Sequence, residues 1–468
     1  MKVCEARQAR SMWGNATLGF LVSMATLGCT PLQPPGAAPQ RTATPGGVTA
    51  ASPVPSGSGI SAQQRPPAPA TAPATSPVYG AAVPTPAPAT ATATPAVPAA
   101  PVPVPVLGFD EALQAAANAL FSSARLPPDA PPPAALVIDP LIDGMSGEQS
   151  AATRTMEARI VDLVKGKYPQ FDLQPFSAAR VAKSPIVLVG TFTPINAQGQ
   201  SSGPREAYRI CLALADLRTG KIIAKGSARA RMDGIDATPT GYFRDSPAWM
   251  MERATDGYIK TCQATRVGDP INPAYLDGIL ASGLVAEAIK AFEAGRYRES
   301  LDFYASALAT PSGSQLRVYN GMYLANVKLG RRDAATDAFA KIVDHGLASK
   351  RLAVKFLFSP GSTAFLPSPA VSGPYPSWLQ QIAQRTEQGK ACLEISGHTS
   401  RTGPEPLNER LSLLRAEFIK QRLVAQAPKL GNRSITNGMG SRANLIGTGR
   451  DDLTDALDRR VVFSVIDC

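Results

Sequence analysis

The chain has 468 residues, with 47 Lys and Arg against 36 Asp and Glu, for a formal charge of +11. That length predicts several domains rather than one, and the excess positive charge is no argument for nucleic acid. With only two histidines, His345 and His398, and no HExxH, GxSxG, Walker A or paired CxxC pattern, the sequence supports neither a metal site nor a hydrolytic triad. No cofactor and no enzyme activity are expected.

The first thirty residues carry Lys2, Arg7 and Arg10 ahead of a mostly apolar core, Trp13 to Leu27, which is too short for a comfortable membrane span. The core ends in Thr26-Leu27-Gly28-Cys29. Small residues before a cysteine resemble the lipobox of bacterial lipoproteins, although Thr26 stands where an aliphatic residue is usual. The resemblance implies that 1–28 is a signal peptide and that Cys29 is lipidated. Thr30 in place of Asp implies sorting to the outer membrane, facing the periplasm. An ordinary secretory signal or a membrane anchor is the alternative.

From Pro31 to Pro105 the chain holds 20 of its 44 prolines among Ala, Thr, Ser and Gly. Such a stretch has almost nothing apolar to bury and cannot offset its ordering entropy, so residues 29–106 are expected to be a disordered tether. Fully extended as polyproline II it would reach roughly 230 Å. An exported chain resides in an oxidising compartment, where the even number left after processing, Cys211, Cys262, Cys392 and Cys468, suggests disulfides. Four cysteines allow three pairings. A division that puts two in each of two domains favours Cys211–Cys262 and Cys392–Cys468, with buried free thiols as the alternative.

Residues 107–275 alternate helical and strand patterns. "DEALQAAANALFSSA" and "AATRTMEARIVDLVKGKY" read as helices, "AALVIDPLI" and "PIVLVGTFTPI" as buried strands. "YRICLALADLRTGKIIAKGSARARM" reads as two strands joined at Arg218-Thr219-Gly220, and a helix around Trp249–Cys262 closes a compact α/β domain. The order of elements loosely resembles periplasmic lipoprotein domains of the Lpo, CsgG and FlgO kind, which implies a protein partner. Residues 276–348 hold an internal repeat: Gly295 and Gly330, Ser300 and Ala335, and Tyr304 and Phe339 are each 35 apart. This resembles two tetratricopeptide repeats. Two repeats cannot cover their own faces and are expected to dock on a neighbouring domain, either as a protein-binding groove or as a helical spacer.

Residues 349–468 begin with a strand and turn, "LAVKFLFSPGSTAFLPS", then a helix around Trp378–Gln388 and the alternating strand "ACLEISGHT". There follow a helix, a glycine-rich polar loop "GMGSRANLIGTG" and a final strand "RRVVFSVID". Together they predict a βαβαβ arrangement with helices on one sheet. Gly397-His398-Thr399, Gly403, Asn408, Leu411-Ser412, Arg415-Ala416 and later Asp458-Arg459-Arg460-Val461 are spaced without a gap as in the OmpA-like peptidoglycan-binding domain, which this segment resembles over about 115 residues. In that family the site holds a meso-diaminopimelate side chain, a zwitterion that wants one anion and one forked cation. Asn408 and Arg415, two helical turns apart, share a face. Leu407, Leu411, Leu414 and Phe418 are expected to be the stripe that packs on the sheet. The resemblance implies that Arg415, at the mouth of a groove, takes the ligand's carboxylate. Asn408, Thr399 and Arg459 would shape the groove. Ser400 stands where the family has its acid. A hydroxyl accepts a bond from an ammonium but supplies no charge, a loss of about 1–3 kcal/mol, or ten- to a hundredfold in affinity. Arg401 beside it would repel an ammonium if it pointed inward.

The expected fold class is therefore multidomain α+β: signal and linker, periplasmic α/β domain, short helical repeat and OmpA-like sandwich. Residues 350–468 hold 16 Lys and Arg against 10 Asp and Glu, which suits an acidic stem peptide. The expected function is an outer-membrane lipoprotein that links the membrane, through lipid on Cys29, to peptidoglycan, while its middle region presents a surface to an unidentified periplasmic protein. Three readings of Ser400 stay open: weak wall binding offset by tethering, a more anionic wall fragment as ligand, or a purely structural module. The last belongs to the alternative function, an assembly or regulatory scaffold of an envelope machine that no longer binds cell wall.

Overall fold

The run Ile186–Ile195 is mostly apolar and has no charged residue, the pattern of a strand covered on both faces, and all ten of its residues are buried. It lies at the centre of the first of two sheets. In this computed structural model the described residues are 105–126, 132–202, 205–447, 449, 451 and 454–468, all within the unit Ala96–Cys468. The expected signal peptide, Cys29 and nearly all of the expected linker lie outside the described residues. Among those described, no helix is long and apolar enough to cross a membrane.

The first sheet is built from β1 (Val106–Leu107), α1 (Phe109–Ser122), β2 (Ala134–Ile138), β3 (Ile142–Asp143), α2 (Ala151–Lys167), β4 (Phe171–Gln174), α3 (Ala178–Val181), β5 (Ile186–Ile195), β6 (Ala207–Asp216) and β7 (Lys221–Ala230). Its order is β1-β7-β6-β5-β2-β4, with β3 also on β5. β5, β6 and β7 form an antiparallel ribbon of ten-residue strands, turning between β6 and β7 at the anticipated Arg218-Thr219-Gly220. β1, β2, β3 and β4 pair in parallel and are too short to show a clear period. α1 and α2 cover one face, through Leu113, Leu120, Met156 and Ile160. The other face takes α5 (Arg253–Gln263), after the short α4 (Gly241–Asp245), and the first turns of α6 (Pro273–Glu293). A disulfide joins Cys211 of β6 to Cys262 of α5.

α6, α7 (Tyr297–Leu308), α8 (Leu316–Lys328) and α9 (Arg332–Ala348) form two helical pairs. The 35-residue spacing recurs in their geometry. Gly295 and Gly330 both take positive φ, +75° and +71°, at the turn inside each pair, a conformation that costs glycine least. Tyr304 and Phe339 are both enclosed at equivalent points.

The chain then enters β8 (Arg351–Leu357), α10 (Pro369–Ser372), α11 (Tyr375–Gln388), β9 (Cys392–Gly397), α12 (Glu405–Gln426), β10 (Ser434–Gly438) and β11 (Arg460–Ile466). The second sheet has the order β10-β9-β11-β8, with β10 parallel to β9 and β11 antiparallel to both of its neighbours. Cys468 is bonded to Cys392 at the start of β9. β10 is an element the sequence pattern did not announce. It is a short edge strand of mostly polar residues, with Ile435 facing solvent.

One hydrophobic cluster runs from the helical pairs into this second sheet. Phe339 of α9 stacks on Trp378 of α11 at 5.0 Å between ring centroids, and Trp378 Nε1 donates to the Tyr323 hydroxyl at 3.1 Å. Phe356, Ile382, Leu393, Ile419 and Phe463 continue the same core.

Candidate functional site

The turn from Gly397 to Gly403 connects β9 to α12, and the packing of α12 decides what the turn presents. A Cβ on Gly397 would fall 1.8 Å from the Ser412 carbonyl oxygen, and one on Gly438 2.4 Å from that of Glu409. The helix backbone therefore lies almost against the strands, and only small or well-bonded side chains fit between them. The buried face is Asn408, Ser412, Arg415, Ala416, Ile419 and Leu423. This corrects the expected leucine stripe: Leu407 is 64 % and Leu414 43 % exposed, while Leu411 and Phe418 are half-buried at the flank. The close approach assigns the central position to Ser412 and Ala416 and pushes the bulky leucines outward.

Arg415 shares the buried face with Asn408, as the spacing implies, but it does not stand at the mouth of a groove. Its guanidinium is fully enclosed. Nε donates to the Ser362 carbonyl at 2.9 Å, Nη1 to that of His398 at 3.0 Å and Nη2 to that of Ser359 at 2.9 Å. The group also lies 5.3 Å from the Phe358 ring centroid. The loop after β8 thus folds over the guanidinium and takes up its fork, a correction to the expected open fork. Burial, with the nearby Arg459 charge, lowers the Arg415 pKa to about 10 against the opposing pull of Asp451, so it remains a cation at neutral pH.

Ser400 is buried, and its hydroxyl donates to Asp451 Oδ1 at 2.7 Å and lies 3.0 Å from Thr402 Oγ1. Arg459, also buried, donates through Nη1 to the same Asp451 oxygen at 2.7 Å and through Nε to the Phe358 carbonyl at 3.1 Å. Ser400, Arg415 and Arg459 therefore converge on the 397–403 turn and the end of β8. Asn408 braces the turn through an Nδ2 bond to the Gly403 carbonyl, 3.3 Å. Thr399 is held through its backbone, N–H to the Gly440 carbonyl and C=O to Asn444 Nδ2, while its buried hydroxyl has no hydrogen-bond partner among the described residues. Arg401 is exposed.

Both ring nitrogens of His398 are buried and have no hydrogen-bond partner among the described residues. Burial, then the Arg460 charge, holds its pKa well below the usual imidazole value, so the ring is neutral. Arg460 is likewise enclosed, donating to the Ala443 carbonyl at 3.0 Å; its pKa is lowered to about 10, chiefly by burial. No group of three or more His, Cys, Asp or Glu side chains among the described residues is arranged to hold a metal ion.

The roles of several residues of this locus escaped the sequence reading. Asp458 accepts the backbone N–H groups of Leu445, Ile446 and Gly447. From the other side Arg205, in the β5–β6 connection, donates to the carbonyls of Asn444, Leu445 and Ile446. The loop that leads to Asp451 is clamped between an acid of its own segment and a cation from 240 residues upstream. The run Asp451-Asp452 and Asp455, just ahead of Asp458-Arg459-Arg460, was the available signal for the acids. Nothing in the sequence marks Arg205.

No protein-family model matches this chain. Outer membrane protein Omp38 of Acinetobacter baumannii, in strains ATCC 17978 and ATCC 19606, is 40 % identical to it over 65 residues. That match spans 14 % of this chain and 18 % of each relative's length. Among solved structures, the peptidoglycan-associated lipoprotein from Burkholderia pseudomallei matches at 22 % identity and a TM-score of 0.20, covering 24 % of this chain and 89 % of that one. The cell wall anchor of the T6SS from Pseudomonas aeruginosa matches at 20 % identity and a TM-score of 0.21, covering 28 % of this chain and 97 % of that one.

Proposed function

We propose that this chain is a non-catalytic peptidoglycan-binding protein of the cell envelope, lipidated at Cys29 and held in the outer membrane, with Thr399, Ser400, Asn408, Arg415 and Arg459 forming or bracing its wall site. The observation that carries this reading is the convergence of Ser400, Arg415 and Arg459 on one turn, joined through Asp451 and the carbonyls at the end of β8. The partly exposed Asp451 carboxylate, held beside two buried guanidiniums, suits a ligand with an ammonium group, such as the zwitterionic side chain of meso-diaminopimelate. The 40 % identity over 65 residues to proteins named as outer membrane proteins supports the location. In this reading the α/β and helical regions face an unidentified periplasmic protein.

A second reading, an envelope scaffold that has lost its wall ligand, is favoured by one observation: three Arg415 donors are already satisfied by backbone carbonyls. Sedimentation separates the two. The full chain is expected to pellet with purified diaminopimelate-type peptidoglycan and to be released by the soluble stem tripeptide L-Ala-γ-D-Glu-meso-diaminopimelate. A chain that stays in the supernatant at every peptidoglycan concentration would remove the first reading and leave the scaffold.

A further inference from the structure

Position 400 raises a charge problem: a ligand ammonium needs an anion, and Ser400 has none. We propose that Asp451, from the loop after β10, supplies that anion, so that the site's carboxylate has moved from the 397–403 turn to a different segment of the chain. The proposal rests on the reading of this locus as a stem-peptide site and specifies how it would recognise the ligand's amine.

The geometry supports the assignment in three ways. The Ser400 hydroxyl reaches Asp451 Oδ1 at 2.7 Å, so the carboxylate sits one hydrogen bond from the place where residue 400 itself would carry it. Asp451 is also held firmly. Its backbone takes φ +57°, a left-handed conformation that aspartate adopts more readily than most residues. Its N–H donates to Asp455 Oδ2 at 3.0 Å, and Arg459 Nη1 donates to Oδ1 at 2.7 Å. Finally, the carboxylate is the part of the cluster that reaches solvent. The Asp451 side chain is 28 % exposed against 2 % for Arg459, and Arg415 is fully enclosed. Both bonds fall on Oδ1, and among the described residues none bonds Oδ2. An ammonium can therefore approach Oδ2 while the Arg459 guanidinium stays on Oδ1. Ser400 then becomes a positioning residue that fixes the carboxylate without competing for the amine.

The arrangement makes a prediction opposite in sign to simple repair of the motif. An aspartate placed at 400 would face Asp451 at hydrogen-bond distance, and two carboxylates that close do not both ionise. Binding of the full chain to the stem tripeptide is compared with binding to the same peptide acetylated on its free side-chain amine. The wild type is expected to prefer the free amine by about tenfold or more, since charge-assisted bonds are roughly twice as strong as neutral ones. Asp451→Asn keeps an oxygen for Ser400 and Arg459 but is expected to lose that preference and weaken the free-amine peptide about tenfold. Ser400→Asp is expected to weaken binding, and Ser400→Asp with Asp451→Ser to restore it. Tighter binding by Ser400→Asp alone, or an unchanged amine preference in Asp451→Asn, overturns the proposal while wall binding stands. A wild type that binds neither peptide nor peptidoglycan overturns both.

Discussion

Replacing Arg415 with lysine keeps the charge but not the fork. Three backbone carbonyls depend on the guanidinium, at 2.9, 3.0 and 2.9 Å, and they diverge from one another. A single ammonium at the end of a flexible stem meets one of them well. The Ser359 and Ser362 carbonyls belong to half-buried residues that can recover water, at a net loss of about 1 kcal/mol each. The His398 carbonyl belongs to a buried residue, and stranding it costs about 1–3 kcal/mol. Arg415→Lys is therefore expected to destabilise the chain by about 2–4 kcal/mol, read as a lower urea midpoint. Peptidoglycan pelleting in the cold, where the variant remains folded, should weaken only to the extent that the 397–403 turn relaxes. A variant that denatures like the wild type yet no longer pellets would refute the reasoning, since it would make Arg415 a direct ligand group whose three carbonyl bonds break on binding.

Arg205→Ala removes the upstream half of the clamp on Asn444–Ile446; amide exchange at Leu445, Ile446 and Gly447 is expected to accelerate, and stem-peptide binding to weaken severalfold. Unchanged exchange would show that Asp458 suffices alone. Asp139 is buried, bonded by the Tyr275 hydroxyl at 2.7 Å, and burial raises its pKa from 3.8 to about 6. The folded chain thus keeps a proton that the unfolded chain releases, so this contribution to stability is fully present below pH 3.8 and is lost as pH rises through about 6. Asp139→Asn is expected to raise stability at pH 7.5 by about 1–3 kcal/mol and to gain little at pH 4; an equal effect at both values would exclude the linkage.

What could be read from the sequence was whatever repeats along the chain. The ten-residue strand at Ile186 shows its double-sided burial in composition alone. The 35-residue echo of Gly295 and Gly330 reports a backbone conformation that glycine adopts at least cost. The GHT turn and the register from Asn408 to Arg415 place the right side chains on one buried face. The failures concern distance across space. Helical periodicity marks Leu407 and Leu414 as a packing stripe, but the nearness of α12 to Gly397 and Gly438 reverses which face can be covered. Spacing likewise could not tell whether the fork of Arg415 meets a ligand or the loop after β8. The partner of Ser400 lies 51 residues downstream, in a segment with no periodicity to align it.

The same long-range contacts bear on how the candidate site holds its shape. Lys355 of β8 is fully enclosed, with Nζ 2.7 Å from Glu148 Oε1 and 2.8 Å from the Phe243 carbonyl, and it lies 4.2 Å from the Trp249 ring centroid. Burial pushes both members of the pair toward their neutral forms, raising Glu148 to about 7 and lowering Lys355. Removing either partner alone strands the other group without its counterion, which is costlier than losing an exposed pair. β8 ends at Leu357, and the next residues, Phe358 and Ser359, supply carbonyls to Arg459 and Arg415. A break at Glu148 therefore disturbs the strand whose end cradles both guanidiniums, while Arg205 holds the loop at Leu445 and Ile446. Glu148→Gln, which keeps an oxygen for Lys355 and removes the charge, should accordingly weaken stem-peptide binding even though residue 148 belongs to the α/β region. Binding that is indifferent to both Glu148→Gln and Arg205→Ala would mean that the C-terminal sheet shapes its site unaided.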